Sequence, residues 1–342
     1  MKNKLESILA VAGFALLMTL IFMPSKLLGV FGKDENVIKL SSEYDLSKED
    51  ALEGLNQIDK FGLYSIGSKW EDTKEKFKIE IENSNDVEKR IEIMAKANKL
   101  AGGKHSFLIV GKGTKEKSDD YIGYNYEVKN GVLILKINET KFSYDTEDSA
   151  KEIKNYIEDI QNIIYDNQNL SGYIIDLSDN FGGNMYPMLL GLSPLIADGN
   201  ILEFIDKYEN SVGIVKLENG KILNCIENGE NIVNMSSDLY RGKVNKPVAV
   251  LISERTSSSA EMTLLALKTN SRVQVFGKPS AGYNTANYSF NIGKNIGVVL
   301  SSGKVKSKDG IVYENEPIKP DINISIEQGY EILLKWLKEF KE

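Results

Sequence analysis

Apolar and polar positions change rhythm three times along the chain. Ile8 to Met23 is an apolar-rich run with Lys2 and Lys4 before it and Pro24-Ser25-Lys26 after it, and Leu27 to Phe31 add a second apolar patch. The run is long for the core of a signal peptide and slightly short for a spanning helix. Residues 1–32 are therefore expected to form an uncleaved signal anchor with its N-terminus in the cytoplasm. A cleaved signal peptide and a buried core helix are the alternatives. Residues 33–44 read as a polar linker. From 45 to 103 the period is helical. Ser47 stands as a cap before Leu52, Leu55, Ile58 and Phe61, and a second helix over 86–100 carries Val87, Ile91 and Met94 on one face. Gly102 and Gly103 end it.

Beyond residue 104 buried-strand runs alternate with helical stripes. Val132–Ile137, Gly172–Leu177, Val248–Ile252 and Val273–Phe276 are strand runs. Ile153, Tyr156, Ile157, Ile160, Ile163 and Ile164 make one helical stripe within 146–167. Further helices are expected over 185–197, 258–269 and 327–340, and a hairpin around Asn219-Gly220 within 211–226. Strands alternating with helices imply an α/β layer architecture. The expected organisation is an anchor (1–32), a linker (33–44), a small helical region (45–103) and one α/β domain (104–342).

Net charge of −7 and the lack of a long basic run argue against a nucleic-acid partner. Cys225, the only cysteine, rules out an intrachain disulfide and reads as a buried thiol on a strand. With a single histidine as well, a zinc site of the usual ligand types is almost excluded, and no cofactor is expected. That histidine, His105, follows the Gly102-Gly103 pair and precedes a strand. Imidazole titrates nearest neutrality, so His105 is the natural candidate for a general base, against the plainer reading of a satisfied core histidine.

Three segments near strand ends could carry chemistry. Asp176-Leu177-Ser178-Asp179-Asn180-Phe181-Gly182-Gly183 ends a strand in a glycine pair, whose amides could hold an anion or simply make a tight turn. Thr256-Ser257-Ser258-Ser259-Ala260-Glu261 opens a helix. Ser258 with Glu261 fits a capping box, and a serine there is also placed as a nucleophile at a helix N-terminus. Glu314, in the late acidic loop, is either a solvated acid or a partner for His105.

Together these segments resemble the C-terminal processing peptidases, a serine-peptidase family that includes the tail-specific proteases and the tricorn core. DLSDNFGG (176–183) is similar to that family's strand-end Asp-Leu-Arg-x-Asn-x-Gly-Gly motif, with Ser178 at the arginine position. TSSSAE (256–261) is similar to its nucleophile turn. The resemblance covers roughly residues 45–325 and implies a crotonase/ClpP-like core. One branch of the family uses a serine–lysine dyad. Tyr283 stands where that lysine belongs, and Lys268 and Lys278 do not match it. The tricorn-like branch draws its base from an upstream histidine and adds a late glutamate, positions matched by His105 and Glu314. Gly103 and Lys104 depart from that pattern.

The resemblance implies a membrane-anchored extracytoplasmic serine peptidase acting on peptides or protein tails. Ser258 would be nucleophile, His105 base and Glu314 orienter, with the amides of Gly182 or Gly183 and of Ser259 as oxyanion hole. The enzyme would be single-pass in the cell membrane or secreted after cleavage. An inactive surface module that binds peptides or proteins is the alternative, and acyl-thioester chemistry on the same fold is a weaker third. Oligomeric state is not legible.

Overall fold

A computed structural model describes residues 36–112, 123–140, 147–225 and 231–340. The expected anchor, 1–32, lies outside the described residues. Among the described residues no helix is long and apolar enough to cross a membrane.

The first half of the chain forms β1 (Val37–Lys39), α1 (Lys48–Phe61), α2 (Ser68–Asn83), α3 (Val87–Gly102), β2 (Phe107–Val110), β3 (Tyr124–Lys129), β4 (Val132–Ile137), α4 (Glu147–Asp166) and β5 (Gly172–Asp176). There follow α5 (Met185–Gly191), β6 (Gly199–Ile205), β7 (Ser211–Glu218), β8 (Lys221–Cys225), β9 (Asn231–Ser236), β10 (Val248–Ile252) and α6 (Ser259–Leu267). The chain closes with β11 (Val273–Gly277), β12 (Thr285–Ile292), β13 (Ile296–Ser307), β14 (Val312–Tyr313), β15 (Ile322–Asn323) and α7 (Gly329–Glu339). Two compact units interleave along it. The first comprises the described part of Met1–Lys117 with Phe204–Val212 and Thr285–Val305; the second takes the rest.

In the first unit the helix starts follow capping chemistry. Ser47 Oγ accepts from the Asp50 amide at 3.0 Å, and the Asp86 carboxylate accepts from the Glu88 and Lys89 amides. Helices α1 and α3 pack Leu55, Ile58, Ile91 and Met94 into one core with Leu108, Val298 and Leu300. The sequence pattern gives no warning of α2. Its face is mostly charged, and Trp70, Phe77 and Ile81, the residues it buries, are spaced seven and four apart, too sparse to stand out as a stripe. Strand β2 pairs parallel with β1 and antiparallel with β13, and β13 pairs antiparallel with β12. Part of the expected linker is thus a strand, because Val37 and Ile38 can add backbone and apolar side chains to Leu108 and Ile109.

The second unit is built on a six-stranded sheet in the order β15-β11-β10-β5-β4-β3, all parallel except β3, which pairs antiparallel with β4. Both β5 and β10 are buried along their whole length, as parallel strands covered on both faces must be. Helix α7 sets Leu333 and Leu337 against Ile174, Ala249, Leu251 and Phe276. The Asn219-Gly220 hairpin joins β7 to β8 with both turn residues at positive φ, +48° and +70°, the type I′ geometry that this dipeptide favours. The helix expected over 185–197 stops at Gly191. Pro194, which has no amide hydrogen to continue the ladder, turns the chain into a 3-10 segment at Ser193–Leu195. Cys225 ends β8 and is only half-buried, because the alternation of the strand carries it away from the core.

Candidate active site

Strands β5 and β10 are adjacent and parallel, with Asp176 opposite Leu251, so the two polar turns that follow them emerge side by side at the carboxyl edge of the sheet. Short side chains tie them together. Thr256 Oγ1 donates to the Leu177 carbonyl at 2.8 Å, Ser257 Oγ to that of Phe181 at 2.9 Å and Ser259 Oγ to that of Gly183 at 2.6 Å. Ser253 Oγ reaches the Ser178 carbonyl, and the Ser257 amide donates to the Asn180 carbonyl at 3.1 Å. Ser178, at the family's arginine position, is buried in this seam. The guanidinium at this edge belongs to Arg255, 4.7 Å from the centroid of the Phe181 ring and 3.2 Å from Asp179.

Ser258 sits between β10 and α6 with φ +54° and ψ −120°. For a residue with a side chain this conformation costs on the order of 1–3 kcal/mol, and such strain persists only where neighbours hold it. Two neighbours do so. The Glu261 carboxylate accepts from the Ser258 amide at 2.9 Å. Gly182, at φ +112°, packs so closely that a Cβ there would stand 2.9 Å from Ser258 Cβ and 3.0 Å from the Ser257 carbonyl oxygen. A strained serine on a sharp strand-to-helix turn is the geometry that exposes an attacking hydroxyl.

The glycine turn is braced from behind. Asn180 Oδ1 accepts from the Gly182 amide at 2.8 Å, while Asn180 Nδ2 donates to the Asn138 carbonyl at 3.0 Å. The Thr140 amide donates to the Gly182 carbonyl at 3.0 Å, and Thr140 Oγ1 donates to the Asn184 carbonyl at 2.9 Å. Of the oxyanion donors expected from sequence, the Gly182 amide is thus committed inside the turn.

Glu261 is more than a cap. Fully buried, it accepts from the Ser258 and Tyr283 amides on one oxygen and from Ser280 Oγ and the Gly282 amide on the other, all within 2.9 Å, with Asn284 Nδ2 at 3.4 Å. Burial pushes its carboxyl up to about 7 against the pull of these donors. Asn284 carries the chain of bonds onward, accepting from the Asn315 amide at 3.0 Å and donating to the Glu316 carbonyl at 2.5 Å. The loop containing Glu314 is therefore fastened, through Asn284 and Glu261, to the turn of Ser258. The two lysines near Tyr283 in sequence are engaged elsewhere: Lys268 with Asp321 at 3.6 Å and Lys278 with Asn323 at 3.0 Å.

His105 belongs to the first unit. Helix α3 ends at Gly102 and is capped by Gly103, whose φ of +77° and ψ of −160° only glycine adopts with ease, which accounts for the lack of an acidic residue there. His105 follows in the turn into β2 and is buried. Its Nδ1 lies 2.9 Å from Thr285 Oγ1 and its Nε2 3.2 Å from Asn287 Nδ2. Burial, with a lesser contribution from Lys104, lowers its pKa to about 3, so the ring is neutral at neutral pH. Thr285, Asn287 and Ser301, which surround the ring, were not legible as site residues. A one-residue irregularity in the β12–β13 ladder at Ala286/Asn287 sets Asn287 opposite Ser301. Among the described residues no cluster of three or more His, Cys, Asp or Glu side chains could hold a metal ion.

Residues 131–324 match the family model described as peptidase family S41. The nisin-resistance protein of Lactococcus lactis subsp. lactis is 34% identical over 286 residues, 83% of this chain and 85% of that protein. The carboxy-terminal processing protease CtpA of Bacillus subtilis is 29% identical over 190 residues, 56% of this chain but 35% of that protein, so the chain matches only about a third of its length. Among solved structures, a lipoprotein from Streptococcus agalactiae aligns with a TM-score of 0.71 and 27% identity, covering 88% of this chain and 99% of that one.

Proposed function

Because the chain belongs to peptidase family S41, we propose that it hydrolyses peptides or protein tails, with Ser258 as nucleophile and His105 as general base. One observation carries this reading: the strained strand-to-helix serine, held between Gly182 and the Glu261 carboxylate.

On this reading Ser258 Oγ attacks the peptide carbonyl as the His105 imidazole takes its proton, with Nε2 first released from the Asn287 Nδ2 donor. The amides of Gly183 and Ser259 hold the developing oxyanion, each contributing about 100-fold in rate, while Gly182 shapes the turn. The imidazolium returns the proton to the departing amine, and water then releases the acyl group by the same route. Glu314 orients the imidazole. Residues 1–32 anchor the protein so that the peptidase faces outside the cytoplasm. The Lactococcus relative's name makes nisin the first peptide to assay. Incubation of nisin and of an unstructured peptide mixture with wild type and Ser258→Ala, read by mass spectrometry, should give new termini only with wild type. The same products from the variant would end the assignment. Protease accessibility on intact cells tests the outward placement.

A second reading has its own support. The deep burial of His105 and the engagement of both its nitrogens suit an imidazole held for structure. Saturable binding of nisin by calorimetry with no product would favour a peptide-binding protein without hydrolysis.

A further inference from the structure

At the edge of the six-stranded sheet opposite the Ser258 turn, the second unit holds a cleft of about 850 Å³. It lies where the parallel strands β4, β5 and β10 begin and α7 ends. Backbone bonds draw the strand starts together. The Ser171 amide donates to the Gly131 carbonyl at 2.9 Å, and the Tyr173 amide to the Pro247 carbonyl at 3.0 Å. Gly172 seats the helix on them, since a Cβ there would stand 2.7 Å from Leu337 Cδ2. The floor is apolar, made by Val132, Pro247, Leu334, Leu337 and Phe340. Three lysines share the lining, Lys246 from the loop before β10 and Lys335 and Lys338 from α7, and among the described residues no carboxylate does. Elsewhere in the unit Lys136, Lys243 and Lys268 each find an acid partner. None of the three cleft lysines has one among the described residues, although the chain as a whole carries a net charge of −7.

We propose that this cleft binds an anionic amphiphile, a single apolar chain with an acidic head. The chain lies along the floor and the head sits among the lysines. The volume is that of a small-ligand site, and an apolar wall with a few convergent polar groups is the usual make-up of one. The sign of the head follows from three cations and no acid in the lining. A peptide fits less well. Strands β4, β5 and β10 are each paired on both sides, so a peptide backbone laid on this floor would meet no open sheet edge to satisfy its polar groups. The chain's own apolar run, Ile8 to Met23, is flanked by Lys2, Lys4 and Lys26 against Glu6, and its net basic ends would meet the lysines with like charge. The site stands apart from the Ser258 turn and does not depend on hydrolysis there.

The test uses the whole 342-residue chain and a dodecanoate that carries a photoreactive diazirine on its carbon chain. After illumination, mass spectrometry should place the adduct within 334–340 or at Val132 or Pro247. Excess plain dodecanoate should suppress the adduct, whereas dodecanol and inorganic phosphate at the same concentration should not. Octanoate should compete on the order of tenfold less well than decanoate, the loss expected for two methylenes left in water. A variant combining Lys246→Gln, Lys335→Gln and Lys338→Gln should label on the order of tenfold less at unchanged circular dichroism, while Ser258→Ala should label like wild type. Adducts confined to other segments overturn the proposal. So does equal suppression by dodecanol, which would leave the lysines no part, and so does equal labelling of the triple variant. Suppression by polyglutamate where plain dodecanoate has no effect would make the occupant an acidic peptide and also overturn it. The competition by chain length is read on wild type alone, and equal competition by octanoate and decanoate would remove the apolar floor from the account.

Discussion

Around Ser258 the restraints are charged and backbone-directed. One buried carboxylate gathers three amides and a hydroxyl, a glycine leaves no room behind the turn, and the serine itself is held at a positive φ. Around His105 the restraints are neutral and made by side chains: two hydroxyls and one amide, with the ring uncharged. The difference bears on the roles proposed for the two residues. A nucleophile must be aimed, and strain held by backbone bonds aims it without relaxing. At His105 both ring nitrogens are engaged, Nδ1 with Thr285 Oγ1 and Nε2 with Asn287 Nδ2, and neither partner carries a charge. A negative charge beside His105 would raise its pKa and make it a stronger base. Neutral partners leave burial to dominate.

The largest expected effect tests the proposed pairing of Ser258 with His105. Ser258→Ala and His105→Ala should each lower kcat on the order of a millionfold, and the double variant no further. Additive losses would show that the two residues do not act together. Next comes Gly182→Ala. A methyl there would press on Ser258 Cβ, and a shift of the nucleophile by about 1 Å costs roughly 100-fold in kcat. Unchanged kcat would mean that the turn yields and is not over-determined.

The ionisation of Glu261 is read out by pH. Burial lifts Glu261 from an ordinary 4.5 to about 7. The folded protein therefore holds that proton more tightly than the unfolded chain. Its stabilising contribution is complete below pH 4.5 and fades as pH rises through 7, by about 3 kcal/mol over the window. Glu261→Gln should remove that slope in urea unfolding curves taken from pH 4.5 to 7.5; an identical slope in both proteins would refute the shift. The smallest effect separates backbone strain at Ser258 from side-chain pairing at His105. Ser258→Gly should be more stable than Ser258→Ala by about 1–3 kcal/mol, because only glycine accepts the backbone angles freely. His105→Ala should instead destabilise by about 1–3 kcal/mol, leaving its buried partners unpaired.

The architecture was readable wherever a local rule sufficed. The caps Ser47 and Asp86, the buried runs Gly172–Asp176 and Val248–Ile252, and the Asn219-Gly220 hairpin each stand where short-range chemistry puts them. Helix Ser68–Asn83 escaped because its few buried residues are diluted among lysines and glutamates. The pairing of Val37–Lys39 with Leu108–Val110 escaped because a three-residue strand carries no period. The serine turn was legible as a motif, but the reach of Glu261 to residues 280–284 was not, since the sequence shows it only as a cap three residues from Ser258. The partners of His105 were invisible. They lie 180 or more residues away on two strands whose register shifts at Ala286/Asn287, and nothing in Thr285, Asn287 or Ser301 taken singly announces them.

The central claim is that Ser258 is an activated nucleophile, and the most direct measurement is covalent labelling by a fluorophosphonate probe, read on the intact protein by mass spectrometry. Wild type should gain one adduct, on Ser258. Ser258→Ala should gain none, and His105→Ala should label far more slowly than wild type. Equal labelling of wild type and Ser258→Ala, or an adduct mapped to Ser257 or Ser259, would contradict it.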